Sequence, residues 1–179
     1  MAPEYEYVNT ENKKICPVEE IASIITEAKK QGEKVGLITG CFDILHKGHI
    51  DLFRQAKQNV DILVVGIDRD ETARLKGSQR PVNDIASRCE ALAELMSVDL
   101  VFPMPFTLQE YTSSVENIAL FEDLTKKIKP DCLITNPISD DFWEEKFDRA
   151  KKLGIDFIGL SSPRPTSSTS IAEKIQKEF

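Results

Sequence analysis

The sequence predicts a doubly wound α/β domain, one parallel sheet of five strands with helices on both faces. Five short apolar runs, KVGLITGCF, DILVVGI, LVF, CLI and FIGL, are spread along the chain. They are apolar on consecutive positions instead of alternating, as parallel strands covered on both faces are. Stretches with helical spacing separate them, so the order is β-α-β. The chain has 179 residues, which suits a single domain burying about 70% of its unfolded surface without staples.

Residues 1–16 read as a polar extension. Pro17 then suits the first turn of a helix, where a missing N–H costs nothing, and Ile21, Ile24, Ile25 and Ala28 follow at helical spacing until Gly32. The first strand closes on glycine and leads into a helical stretch, His49 to Lys57, before the β-branched second strand. Ile85, Cys89, Leu92 and Met96 mark the next helix, ahead of LVF at 100–102. From Pro103 to Glu116 no period is evident, and either a long loop or an added helix fits. Helices over roughly 117–128 and 141–153 flank CLI at 132–134, and FIGL at 157–160 is the last strand. Ser170 and Glu173 have capping-box spacing and start a final helix with the stripe Ile171, Ile175 and Phe179.

A formal net charge of −7 would repel a polyanion, so no nucleic-acid partner is expected. Small anions need only a local cluster of cations. Cys16, Cys41, Cys89 and Cys132 are widely spaced, without a C-x-x-C pair. They read as reduced thiols of a cytoplasmic protein. Cys41 lies beside the histidines, where a Cys/His nucleophile or metal site competes with the simpler reading of a buried strand-end thiol. The N-terminal stretch carries acids and no apolar core, unlike a secretory signal. The longest apolar stretch, Ile62 to Ile67, falls far short of the roughly 20 residues that span a bilayer, so no membrane role is expected.

The stretch GCFDILHKGH holds both histidines of the chain, His46 and His49, directly after the first strand. Ligands of doubly wound sheets bind beyond the carboxyl ends of the strands, where helix N-termini favour phosphate. Gly48 has no Cβ to block a close approach. Two imidazoles at such a turn can donate to phosphate oxygens and stabilise charge that develops there. The alternative is structural, one histidine capping the helix and the other filling a gap.

GCFDILHKGHIDLFRQAK resembles the signature G-x-F-D-x-x-H-x-G-H of the cytidylyltransferase-like nucleotidyltransferase superfamily. With RLKGSQRPVND, Arg88 and SVDLVF, the chain is most similar to the nucleotidyltransferase domain of the ADP-heptose synthase family. Glycerol-3-phosphate cytidylyltransferases and archaeal-type FAD synthetases are related on the same criterion. The resemblance implies transfer of a nucleoside monophosphate from ATP, or alternatively CTP, to a phosphorylated small-molecule acceptor, with magnesium on the triphosphate. It implies His46, His49, Lys76 and Thr169 as catalytic residues. Gly40, Cys41, Phe42, Asp43, Gly48, Arg88, Arg164, Ser167 and Ser168 would bind the nucleotide. A homodimer is carried over from the same relatives.

Thr166-Ser167-Ser168-Thr169 stands where the superfamily has I-S-S/T-T, and Thr166 departs from the usual apolar residue. These hydroxyls either grip the triphosphate or only cap the last helix. Lys76 and Arg88 match basic positions of the relatives, which implies phosphate neutralisation. Arg80 reads equally as a solvated surface charge, and Lys47 as exposed. Asp43 either orders the turn, the favoured reading, or helps hold magnesium. No dedicated metal-ligand motif is required, because substrate phosphates supply most magnesium ligands. LITNPISDDFWEEKF replaces a glycine- and acid-containing stretch of the heptose type, and Pro103 to Lys129 is longer than in that family. Both departures fall where the acceptor and nucleobase are expected. Two other classes stay open, a catalytically silent nucleotide sensor and a flavodoxin-like cofactor binder.

Overall fold

The computed structural model describes residues 11–161 and 167–178. Its strands are β1 (Val35–Gly40), β2 (Ile62–Ile67), β3 (Leu100–Pro103), β4 (Cys132–Thr135) and β5 (Asp156–Gly159). They form one sheet in the order β3-β2-β1-β4-β5, every pairing parallel. Around it lie α1 (Val18–Lys30), α2 (Lys47–Lys57), α3 (Asp70–Arg74), α4 (Ile85–Ala93), α5 (Val115–Ile128), α6 (Trp143–Leu153) and α7 (Ser168–Glu178). This is an open, Rossmann-like α/β fold.

The unbroken apolar runs have a direct cause. Leu63, Val65 and Ile67 of β2 share one core with Phe53 and Ala56 of α2 and with Cys89 and Leu92 of α4. Val64, between them in sequence, shares the opposite core with Ile21 and Ile25 of α1. Successive side chains of a strand point to opposite faces, and both faces here are buried.

Three expectations shift and one open choice closes. Pro17 is the residue before α1, with extended backbone, and not part of its first turn. The end of the N-terminal extension joins the fold: Val101 donates to the Lys14 carbonyl at 2.8 Å and Cys16 to the Val101 carbonyl at 3.0 Å. Ile15 and Cys16 are buried there, covering β3 at the edge of the sheet. Helix α4 stops at Ala93, so Met96 falls beyond it and is 96% exposed. The segment after β3 is a long loop up to Ser114, whose hydroxyl caps α5 by accepting from the Asn117 N–H.

The last helix starts earlier than its spacing suggested. Ser167 and Ser170 cap each other, the Ser167 N–H donating to the Ser170 hydroxyl at 2.8 Å and the Ser170 N–H to the Ser167 hydroxyl at 3.0 Å. Glu173 is therefore not the capping partner. The expected apolar stripe buries nothing among the described residues, Ile175 being 55% exposed, and Phe179 lies outside them.

The site is set by the strand order. β1 pairs with β2 along its whole length, from Val35 opposite Ile62 to Gly40 opposite Ile67. On its other side it pairs with β4 only at Gly36 and Leu37. The carboxyl ends of β1 and β4 thus part where the chain reverses its order of winding, the crevice in which doubly wound sheets bind ligands.

Candidate active site

A cavity of about 520 Å³ opens over this crevice. One wall is the turn from β1 into α2. Phe42 there has a left-handed backbone, φ +49°, which costs a bulky residue about 1–3 kcal/mol. Its ring folds back over Gly40, where a Cβ would come within 3.0 Å of it. Any side chain at position 40 would press on that ring. The buried Phe42 ring then meets His49 edge-on, centroids 5.3 Å apart, and Phe53 at 5.2 Å.

His46 precedes the first turn of α2 and His49 lies within it. Their rings stack with centroids 3.8 Å apart and planes 20° from parallel. A Cβ on Gly48 would lie 3.1 Å from Cε1 and Nδ1 of His46. The glycine between the histidines therefore makes room for the imidazole itself. Both rings line the cavity at the positive end of the helix dipole.

The turn is braced from behind. The Asp43 carboxylate accepts from the N–H groups of Val82 and Asn83, each at 2.9 Å, and the Asn83 amide donates to the Asp43 carbonyl at 2.7 Å. This is the turn-ordering role, and it leaves Asp43 ill-suited as a metal ligand. Arg88 is fully buried. It donates to the carbonyls of Cys41 at 2.7 Å, Asp68 at 2.8 Å and Asn83 at 3.0 Å, and pairs with Asp70 at 2.6 Å. A guanidinium spent on these partners does not reach a phosphate, so the expected neutralising role of Arg88 gives way to a structural one.

Across the cavity stands the N-terminus of α7. The Thr169 hydroxyl accepts from Arg80 at 2.8 Å, and the Ser168 hydroxyl donates to the Ile44 carbonyl at 3.3 Å. Arg80, Ser168, Thr169 and Lys76 all line the cavity. Lys76 lies 3.9 Å from Asp68 and 4.3 Å above the Tyr111 ring. Burial raises the Asp68 carboxyl above its ordinary value, against the pull of Lys76 and Lys146. Burial likewise raises the Cys41 thiol, and it pushes Cys89 up to about 12. Neither is poised as a thiolate nucleophile.

The third wall comes from β4 and α6. Lys146 reaches over to the Thr39 carbonyl at 3.1 Å and pairs with Asp140 at 2.6 Å. It bridges the place where β1 and β4 part. Burial pushes Asp140 up, but Lys146, the Thr135 hydroxyl and the Phe142 N–H outweigh it and hold the carboxyl below its ordinary value. Tyr111, on the loop after β3, packs edge-on against Phe142 at 4.9 Å.

The family model described as cytidylyltransferase-like matches residues 37–174. The chain belongs to this family. The bifunctional protein HldE of Paramagnetospirillum magneticum is 47% identical over 89 residues, 49% of this chain and 18% of that protein. HldE of Haemophilus influenzae strain PittGG is 35% identical over 161 residues, 88% of this chain and 31% of that protein. The chain thus spans a third or less of the curated relatives it matches. Among solved structures, the lipopolysaccharide core biosynthesis protein of Thermoplasma volcanium has a TM-score of 0.55 at 29% identity, over 74% of this chain and 99% of that one. A pantoate-beta-alanine ligase of Francisella tularensis shares the fold, with a TM-score of 0.62 at 21% identity over 91% and 77% of the two chains.

Of the residues expected from this resemblance, the cavity gathers His46, His49, Lys76 and Thr169, together with Gly40, Cys41, Phe42, Asp43 and Ser168. Gly48, Arg88 and Ser167 support it from outside, and Arg164 lies outside the described residues. Sequence reasoning missed Asp68, Tyr111, Lys146 and Arg149. Only Lys146 and Arg149 carried a signal, two cations three apart on one helix, and a charged helix offers many such pairs.

Proposed function

We propose that the protein transfers AMP from ATP to a phosphorylated acceptor of the sugar 1-phosphate class and releases pyrophosphate. The observation that carries this reading is the stacked His46–His49 pair at one helix N-terminus, facing Lys76, Arg80 and the hydroxyl-bearing N-terminus of α7 across one cavity. His46 and His49 would donate to the α- and β-phosphates, and Thr169 with the start of α7 would hold the β/γ end. Lys76 would neutralise the acceptor or leaving phosphate, with Arg80 as the second cation in place of Arg88. The acceptor phosphate attacks the α-phosphorus in line. It is already ionised near neutral pH, so positioning and charge stabilisation supply the rate without a strong base.

Magnesium would enter as the metal of the nucleotide substrate, its ligands largely phosphate oxygens. ATP is favoured by the likeness to ADP-heptose synthases. CTP with glycerol 3-phosphate, or another polyol or amino-alcohol phosphate, is the second reading, favoured by the description of the family itself. A cytoplasmic setting is supported by four free cysteines, and no described helix is long and apolar enough to cross a membrane.

The test is pyrophosphate release with ATP and CTP in turn, with magnesium, against sugar 1-phosphates, glycerol 3-phosphate and FMN. Release that requires one nucleotide and one acceptor supports the reading and names both substrates. Nucleotide binding without release across the panel favours a sensor, and a copurifying yellow chromophore favours a flavin binder.

A further inference from the structure

The cavity is also lined by residues of α6 and of the loop that precedes α5, which the phosphate chemistry does not use. Arg149 of α6 is 7% exposed, and its guanidinium carbon lies 5.3 Å from the Phe121 ring centroid. Its Nε is buried without a hydrogen-bond partner among the described residues. Burial brings Arg149 down to about 10, still far above neutral pH, so this nitrogen is an N–H donor. One helical turn earlier stands Glu145. Its Oε1 accepts from the Ser113 hydroxyl, while its Oε2 is buried and has no partner among the described residues. Both residues line the cavity.

A buried polar group left unbonded costs about 1–3 kcal/mol, more when charged. Arg149 and Glu145 line one cavity, and their unpaired donor and acceptor, one turn apart on the same helix, would meet a ligand there by side-chain rotation. The neighbouring charges narrow what that ligand can be. Asp140, neutralised by Lys146, and Asp141 also line the cavity, and the Asp141 carboxylate disfavours a second anionic group on the ligand. A cationic head would face the buried Arg149. A neutral group that both accepts and donates satisfies both residues.

We infer that Arg149 and Glu145 read adjacent hydroxyls at the end of the acceptor remote from its phosphate. The Nε–H of Arg149 donates to one hydroxyl oxygen, and Oε2 of Glu145 accepts from its neighbour. The acceptor is thereby a polyhydroxylated sugar or polyol phosphate rather than an amino-alcohol phosphate. This rests on the transferase reading, because it takes the reacting phosphate to lie at Lys76.

The test compares the wild-type chain with Glu145→Gln and Arg149→Met. Glutamine keeps the oxygen that Ser113 needs, and methionine keeps the apolar stem against Phe121. Steady-state kinetics are measured with ATP and CTP on sugar 1-phosphates, polyol phosphates and phosphoethanolamine, with analogues deoxygenated at the hydroxyls farthest from phosphate. Expected is an acceptor KM raised about tenfold or more in each variant, the size of one unpaired buried group, with the nucleotide KM unchanged. The deoxy analogues should lose affinity for the wild type and little for the variants. Unchanged acceptor KM in Glu145→Gln, or a preference for phosphoethanolamine, overturns the inference and leaves the transferase reading intact. Absence of wild-type turnover with every pair overturns both. Thermal melts check each fold, and if Arg149→Met does not fold, Glu145→Gln decides.

Discussion

The guanidinium of Arg88 lies 2.6 Å from the carboxylate of Asp70, with none of its side chain exposed. Its other donors hold the carbonyls of Cys41 and Asp68, which follow β1 and β2. One side chain thus fixes the two strand ends that frame the site. Arg88→Met should destabilise the protein by about 3 kcal/mol or more, because it strands a carboxylate and several buried carbonyls. The shift of the urea midpoint measures it. Lost turnover with unchanged stability would return Arg88 to the phosphate ligands.

Gly48→Ala tests why the histidines flank a glycine. In an ordinary helix the change gains about 1 kcal/mol. Here the new methyl meets His46 at 3.1 Å, and the imidazole must give way by a few tenths of an ångström, which disturbs its stacking on His49. The expected result is a protein of equal or greater stability whose kcat falls about tenfold or more, as when a transition-state donor is misplaced. Melting temperature and kcat, measured together, separate this from a folding defect.

Asp68 supplies a pH dependence. Burial raises its folded carboxyl above the ordinary value of 3.8. A raised folded value means that its contribution to stability is complete below 3.8 and is lost as pH rises through that folded value. Asp68→Asn removes the charge and keeps the shape. The variant should gain on the wild type as pH rises across this window, and the gain should vanish in acid. Melting curves over a pH series check this, and a difference that is flat or slopes the other way contradicts it.

Ser167→Ala removes one half of the reciprocal cap on α7. The loss of an N-cap hydroxyl costs about 1 kcal/mol of local stability. Because Ser168 and Thr169 make their contacts from this first turn, the nucleotide KM should rise while kcat holds. Faster amide exchange confined to the start of α7 would accompany it. Unchanged exchange there would place the cap outside the account.

The strands and the histidine turn were legible because their signals are local. Apolar runs such as ILVVGI report two buried faces, and the residues from Gly40 to His49 fold on themselves through Phe42 and Gly48. Arg88 was legible too, had its spacing been weighed. It falls three after Ile85 and four before Leu92, on the buried face of α4. Lys146 and Arg149 showed only as two cations three apart on a charged helix, which does not single them out. Their place depends on β4 crossing over to lie beside β1, so that a lysine of α6 meets the carbonyl of Thr39, 107 residues away. Tyr111 sits on a loop without period, anchored by the Asn117 amide to the carbonyls of Glu110 and Thr112. No pattern announces that kind of contact.

The central claim is that His46 and His49 stabilise charge on the triphosphate during nucleotidyl transfer. The most direct measurement is pyrophosphate release at saturating nucleotide and acceptor by His46→Ala and His49→Ala, beside melts of both proteins. The account predicts that kcat falls on the order of a hundredfold or more in each, as for loss of an oxyanion donor, while both stay folded. Near-full turnover in both folded variants would contradict it.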